Sequence, residues 1–440
     1  MKSLLAILLG KTIAVVTRGL KFGGGSAAPG LYALKLDPQI VKKLASKIPI
    51  NVVITGTNGK TTTARIIAHF AKNAGLKVIR NHTGSNLERG IASALIHNSS
   101  FINHKSCDLG IWELDEAAFN IVAPKINPDL VVFLNVFRDQ LDRYGEVDSV
   151  VKGWVETLKR LPKKTIVLVN GDDANTLRLS KSFKGRIQKF GVKDYKIVGE
   201  GIEKKREKEN LDFEAKNVKL KGLSGSRFQL TINNELLTIN LPIPGIYHIY
   251  DALAAIACAK FIFTDPLTHR PTDLQILSDS LKSFQPAFGR VEKLDFGYIF
   301  LIKNPAGATQ VFQTIAPQIK KEDRLLLALN DNLADGTDVS WIWDAGFEKL
   351  LTPSLRDHKV AKQSIYVSGT RAYDLAVRLK YAGFDPKNIT IEPKLDQALK
   401  QARKGLKGTL YILPTYTAML EVQSILTKSG IKKNYWEENG

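Results

Sequence analysis

The sequence predicts an α/β protein built on a central, doubly wound and mainly parallel sheet, with a small β insertion and a second α/β domain at the C-terminal end. Three observations predict it. From Asn51 to about residue 190, short apolar runs alternate with stretches of helical periodicity. A glycine-containing turn joins the first of these runs directly to its helix, as in strand–loop–helix units. A separate strand–helix series then begins near Phe296.

Residues 1–48 read as a helical lead-in, broken by the turn segment from Gly23 to Gly30. Asn51-Val52-Val53-Ile54-Thr55 is short and apolar enough for a buried strand, and Ile66, Ile67, Phe70 and Ala74 mark the helix after it. Further strands are expected at 109–112, 130–134 and 165–169. Between 195 and 242 the pattern changes to short alternating strands such as Phe228–Ile232, the β insertion, and a helix is expected from Tyr250 to Phe263. Strands at 325–329, 364–367 and 409–413 then belong to a C-terminal domain of Rossmann-like type. The reading therefore divides the chain at 1–48, 49–290 and 291–440, with the last boundary between about 285 and 296.

The 440 residues carry 63 Lys and Arg against 43 Asp and Glu, a net charge of +20. Such a field favours anionic partners: nucleotides, pyrophosphates or an acidic membrane face. Basic residues are spread along the chain, and the densest run, Lys204 to Lys208, lies between Glu203 and Glu209 as a solvated loop would. Nucleic acid is not expected as a partner. Cys107 and Cys258 are too few for a disulfide framework or a four-thiolate metal site, which fits a cytoplasmic protein. No uninterrupted apolar stretch reaches the roughly 20 residues that span a bilayer. The apolar start, Leu4 to Leu9 and Ile13 to Val16 around Lys11, is expected as a helix lying on the protein or on a membrane surface.

Gly56-Thr57-Asn58-Gly59-Lys60-Thr61-Thr62 sits where a turn aims backbone N–H groups and a helix N-terminus at phosphate oxygens. Lys60 is placed to meet the terminal phosphates of ATP, and the Thr61 hydroxyl to ligate Mg²⁺. Ile54 stands at the first glycine position of the full phosphate-loop pattern.

Extended by Thr55 and Thr63, the same segment resembles the ATP loop of the Mur ligase family, enzymes that join amino acids to muramyl precursors. The stretch from Asn135 through Asp139-Gln140-Leu141-Asp142 to Gly145 resembles a second family element, with Asn135 as a nucleotide-site residue. Tyr247 to Ala255, with Asp251, resembles the helix start that contacts adenine, and Gly289-Arg290 the junction before the last domain.

Departures from that pattern choose the branch. Ligating members usually carry His where Gln140 stands and Asn where Asp251 stands. Where their carbamylated lysine is expected this chain has Trp154, with Lys152 two positions off and so on another face of a helix. The C-terminal half, above all Asn330-Asp331-Asn332-Leu333-Ala334-Asp335-Gly336-Thr337-Asp338, is similar to the MurT branch, the ATP-dependent subunits of lipid II isoglutaminyl synthases. So are Lys303 to Gly307, Val367 to Ala372 and Leu413 to Thr417. Many members of that branch hold zinc on cysteines of the central domain; residues 195–225 contain none, so no zinc site is expected.

The resemblance implies a cytoplasmic ATP- and Mg²⁺-dependent ligase of peptidoglycan biosynthesis, paired with a GatD-like glutaminase subunit and acting on lipid II at the inner membrane face. It implies amidation of the α-carboxylate of D-glutamate in the stem peptide through an acyl phosphate. A Mur-type amino-acid ligase, on a muramyl peptide or a folate, is the alternative. Glu113 is the candidate for a second Mg²⁺ contact, with Asp115 and Glu116 behind it. One acid of the Asp331–Asp335–Asp338 segment is expected to orient the glutaminase imidazole, Asp338 first, Asp335 next.

Overall fold

The computed structural model describes residues 2–19, 27–81, 85–99, 107–137, 147–198, 201–204, 210–232, 235–264, 266, 274–285, 291–351 and 364–431. Seventeen strands are present in these residues, and two sheets account for fifteen of them. The larger runs β11-β10-β9-β6-β5-β4-β1-β3-β2. In it β1 is Ile50–Thr55, β2 Val78–Arg80, β3 Leu109–Glu113, β4 Leu130–Phe133, β5 Ile166–Asn170 and β6 Arg186–Val192. All pair in parallel from β2 through β6, and β9 (Phe213–Leu220) joins β6 in parallel too. β10 (Ser226–Ile232) and β11 (Glu235–Leu241) complete the edge antiparallel.

The strand order places β1 between β3 and β4, so successive connections leave it on opposite sides. That reversal leaves a crevice beyond the carboxyl end of β1, where ligands of doubly wound sheets bind.

β1 is buried along its whole length and its side chains alternate between two cores. Ile50, Val52 and Ile54 pack with the helices Lys60–Asn73 and Ile246–Thr264; Val53 faces the helices of the opposite layer. Two-sided burial is why the run reads as continuously apolar rather than alternating. Of its two polar residues, Asn51 is satisfied: it accepts from Trp112 Nε1 at 2.8 Å and donates to the carbonyls of Ala45 and Ile48, whereas the buried Thr55 hydroxyl has no partner among the described residues.

Residues 195–242 do not form one separate insertion. β9, β10 and β11 extend the main sheet, because Phe213, Ala215, Phe228, Leu230 and Ile239 supply apolar side chains to its core. Only β7 (Tyr195–Val198) and β8 (Gly201–Lys204) stand apart as a two-stranded ribbon. The lead-in is likewise part of the fold: helices Lys2–Gly19, Ala28–Leu36 and Ile40–Ala45 place Ala6, Ile7, Ala33, Ile40 and Leu44 in the second core. The Ile246–Thr264 helix is long and apolar enough to cross a bilayer, yet its side chains are buried between sheet and helices.

The second sheet runs β12-β13-β17-β14-β15-β16. Here β12 is Glu292–Leu294, β13 Gly297–Ile299, β14 Arg324–Ala328, β15 Ile365–Ser368, β16 Ile389–Ile391 and β17 Leu410–Pro414. Only β12 runs antiparallel to its neighbour.

Trp154, the residue at the expected lysine position, is fully buried. Its ring packs against Phe119 and Phe133, and Nε1 donates to the Glu116 carbonyl at 3.0 Å, while Lys152 is exposed. Replacing Trp154 with Ala opens a cavity and removes that hydrogen bond, so unfolding in urea should show a loss of about 3–5 kcal/mol. A loss below about 1 kcal/mol would mean that the side chain is not the packing centre of this layer.

Candidate functional site

The phosphate loop closes on two glycines in the left-handed region, Gly56 at φ 132° and Gly59 at φ 92°. A Cβ on Gly59 would stand 2.1 Å from Asp251 Oδ1, and one on Gly56 2.9 Å from the Asn135 carbonyl oxygen. The conformation and the crowding both require glycine. Asn135 holds the loop between them: its Oδ1 accepts from Asn58 N at 2.9 Å and its Nδ2 donates to the Asn58 carbonyl at 3.0 Å. These contacts bring Asn135, which follows β4, against the phosphate loop.

The helix Lys60–Asn73 begins with no side-chain cap and no acid in its first turn. Its leading N–H groups thus face the crevice with nothing from their own segment to neutralise them, the condition an anion needs. Lys60 is buried, and its Nζ donates to the Gly56 and Thr57 carbonyls, the latter at 3.2 Å.

Thr61 Oγ1 donates to Glu113 Oε2 at 2.7 Å. Glu113 ends β3 and is buried, not a solvated loop acid. Asn81 fixes its backbone by donating to the Glu113 carbonyl at 2.8 Å and accepting from its N–H at 2.9 Å. A hydroxyl and a carboxylate in contact at the loop's edge are hard oxygen donors of the type Mg²⁺ takes beside phosphates. Thr62, also buried, follows in the first helical turn.

The backup acids separate into two roles. Asp115 caps the helix Glu116–Ile126, accepting from Ala118 N at 2.7 Å. Glu116 is buried near Lys60. Burial pushes its carboxyl pKa up, but Lys60, its own backbone N–H, Lys303 and the Thr57 hydroxyl together hold it below the ordinary value. It is therefore ionised at neutral pH.

Asp251 lies under Gly59 and pairs with His248 Nδ1 at 3.0 Å, both buried. His248 Nε2 is buried with no hydrogen-bond partner. Arg290, Asp139 and Gln140 lie outside the described residues.

The second domain closes the loop from above. Asn304 donates from Nδ2 to Asn58 Oδ1 at 3.1 Å, while Asn58 Nδ2 donates to Asn304 Oδ1 at 3.3 Å. The same Asn304 oxygen caps the helix Pro305–Ile315 through Gly307 N at 2.8 Å. Sequence reasoning passed over Asn304 and Lys303 as site residues, although Asn-Pro before an apolar run signals a capped helix start.

A second polar cluster lies at the carboxyl edge of the smaller sheet. Asp331 accepts from Thr370 Oγ1 at 2.8 Å and pairs with Arg371 at 3.2 Å. Asp335 is buried and accepts from the backbone N–H and hydroxyl of Thr417, the former at 2.8 Å. Asp338 is exposed and accepts from Ser340 N at 2.8 Å, just ahead of the short helical turn Ser340–Trp343. The three acids share one loop but not one orientation.

Residues 54–259 match the Mur ligase middle domain and residues 301–419 the MurT ligase C-terminal domain. Among solved structures, MurF from Acinetobacter baumannii superposes with a TM-score of 0.67 at 16% identity, over 90% of this chain and 79% of that one. Folylpolyglutamate synthase from Mycobacterium tuberculosis, solved with ADP and AMPPCP, gives 0.63 at 15% identity over 91% and 94%. The fold is that of a Mur ligase. The MurT subunit of lipid II isoglutaminyl synthase from Streptococcus pneumoniae is 32% identical over 98% of both chains, and that from Staphylococcus aureus strain COL 30% identical over 92% and 93%. The chain belongs to the MurT family.

Cys107 lies before β3 and Cys258 inside the core helix Ile246–Thr264, and no group of three His, Cys, Asp or Glu positioned for a metal ion occurs among the described residues. Elemental analysis of chelator-washed protein should find no stoichiometric zinc; one tightly held zinc would overturn that expectation. Lys60→Ala should abolish ATP turnover and leave the circular dichroism spectrum unchanged. Near-parental turnover would remove Lys60 from the site.

Proposed function

We propose that the chain is the ATP-dependent subunit of a lipid II isoglutaminyl synthase, amidating the α-carboxylate of the stem-peptide D-glutamate. The observation that carries this reading is the near-full-length likeness to such subunits, joined to a phosphate loop whose helix N-terminus is left open to an anion. ATP with Mg²⁺ supplies the phosphoryl group that makes the carboxylate an acyl phosphate, a good electrophile with a good leaving group.

The chain's own residues then have definable tasks. Gly56 and Gly59 let the backbone approach the phosphates. Lys60 stabilises charge on the transferring group, and Thr61 with Glu113 would hold Mg²⁺. Glu116 keeps Lys60 compensated in a water-poor site. Asp251 and Asn135 stand against the loop, and Arg290 is assigned to the nucleotide site on its sequence resemblance alone.

Ammonia comes from a partner glutaminase subunit of the GatD type, and the Asp-rich loop is where that subunit docks. Of its acids, Asp338 is the one whose exposure suits a contact in trans, with Asp335 and Asp331 bracing the loop. An acid in that position would hold the glutaminase imidazole in one tautomer.

The test uses the two-subunit complex with ATP and lipid II, following the amidated product by mass. Asp338→Asn should lower glutamine-dependent amidation by about two or more orders of magnitude, while amidation from free ammonia persists. Equal loss with both donors would place Asp338 in the ATP or acceptor site. Unchanged activity with both would sink its assignment to the glutaminase. Product carrying an added amino acid in place of ammonia would sink the amidation reading itself.

A further inference from the structure

The helix Lys2–Gly19 is apolar on its outer face as well as on the face it packs against the protein. Ala6, Ile7 and Gly10 face inward, and a Cβ on Gly10 would stand 3.1 Å from Ile96 and 3.3 Å from the Pro29 carbonyl oxygen. Small residues allow the helix to lie close on helices Ala28–Leu36 and Glu88–Asn98. Ser3 Oγ donates to Asp37 at 2.7 Å, and Lys11 Nζ donates to the Ser99 carbonyl, tying the helix at its start and its middle.

The outward face is apolar. Leu4, Leu5, Leu8, Val15 and Val16 are 50%, 58%, 48%, 72% and 52% exposed. Positions 4, 8 and 15, and 5 and 16, fall on one side of an α-helix, with Thr12 between them. Thr12 donates its hydroxyl back to the Leu8 carbonyl at 3.1 Å, so it adds little demand for water. No charged residue interrupts the stripe. On the adjoining helix Leu31, Tyr32 and Leu36 are exposed as well, and the Lys35 ammonium lies 5.4 Å from the Tyr32 ring centre. A soluble surface helix shows the reverse pattern, with its polar residues outward.

Charge selects what covers this face. The first 50 residues contain eight Lys and Arg but a single acid, Asp37, which is buried and paired with Lys43. Lys2, Lys35, Lys42 and Lys47 are exposed. A second copy of a chain with net charge +20 would bring like charge to the same patch. An anionic bilayer attracts it, each surface-proximal Lys or Arg contributing about 1 kcal/mol of attraction.

We propose that the face formed by Leu4, Leu5, Leu8, Val15 and Val16, with the exposed side chains of the adjoining helix beside it, lies in the interface of an anionic membrane. The helix would rest parallel to the surface with its apolar side among the upper acyl chains and the lysines at headgroup level. This placement depends on neither the phosphate loop nor the amidation reading.

The full chain is sedimented with phosphatidylcholine vesicles, with and without phosphatidylglycerol. Binding is expected with phosphatidylglycerol, and it should weaken as salt is raised. The variant Leu5→Glu/Leu8→Glu/Val16→Glu should partition at least about tenfold less, since it puts three charges into the buried face. The milder Leu5→Ala/Leu8→Ala/Val16→Ala keeps helix propensity and should fall in between. Both should keep the parent's melting temperature and ATP turnover. A parent chain that stays in the supernatant, or a Glu variant that sediments as well as the parent, would overturn the proposal. So would equal binding to vesicles lacking phosphatidylglycerol, or a chain dimer abolished by the Glu variant in the absence of lipid.

Discussion

Lys60 carries an ammonium into a site largely closed to water, and much of the surrounding architecture follows from keeping that charge solvated by protein. A buried cation without compensation would lose its proton or unfold its surroundings. Here the compensation comes from three directions: the loop carbonyls of Gly56 and Thr57, the carboxylate of Glu116, and the alignment of β1, β3 and β4 that brings those groups together. Glu116 in turn feels Lys303 of the second domain. The charge balance of the phosphate loop is therefore shared across the domain junction.

Two buried acids of the central domain show how environment sets charge. Glu116 has cations around it and is held below its ordinary pKa, whereas Asp173 has only backbone N–H partners at Val136, Asn175 and Thr176. Burial pushes Asp173 up to about 6, and those hydrogen bonds offset it only in part. Ionising Asp173 thus costs the native state something as pH rises through about 6, while Glu116 is charged well below that. The first holds the chain after Asn135 in place; the second serves the ammonium.

The strand–loop–helix unit was legible because β1, its glycines and the amphipathic helix are contiguous, and local sequence determines each. Strands β3 to β5, β14, β15 and β17 were legible for the same reason: burial on both faces demands continuous apolar runs. The edge formed by β9 to β11 was misplaced because its alternating pattern is that of any half-exposed strand, and only the parallel pairing of β9 with β6 assigns it to the main sheet. Glu113 could be named from its position after an apolar run, but its contact with Thr61 depends on β1 and β3 being neighbours. The Asn58–Asn304 pair could not be read at all. It joins residues far apart in sequence: Asn58 is marked only as part of the phosphate loop and Asn304 only as a helix cap, and nothing local pairs them.

That pair also constrains how the two domains can work together. Asn304 caps its own helix and reaches Asn58 with the same side chain, so its oxygen serves both the helix start and the phosphate loop. A neutral amide pair of this kind is individually weak, about 1 kcal/mol net, and can open without leaving a charge stranded. By contrast Asp335 is buried against Thr417, and Asp331 is tied to Thr370 and Arg371, so the Asp-rich loop is held within its own domain. The Asp-rich loop is thus braced inside its own domain, while the junction carries this amide pair, the attraction of Lys303 for Glu116 and the packing of Leu223 on the core of the second domain. A rotation of the second domain would therefore break the Asn58–Asn304 contact, draw Lys303 away from Glu116 and carry the Asp-rich loop along as a unit, leaving the ordering of its acids intact.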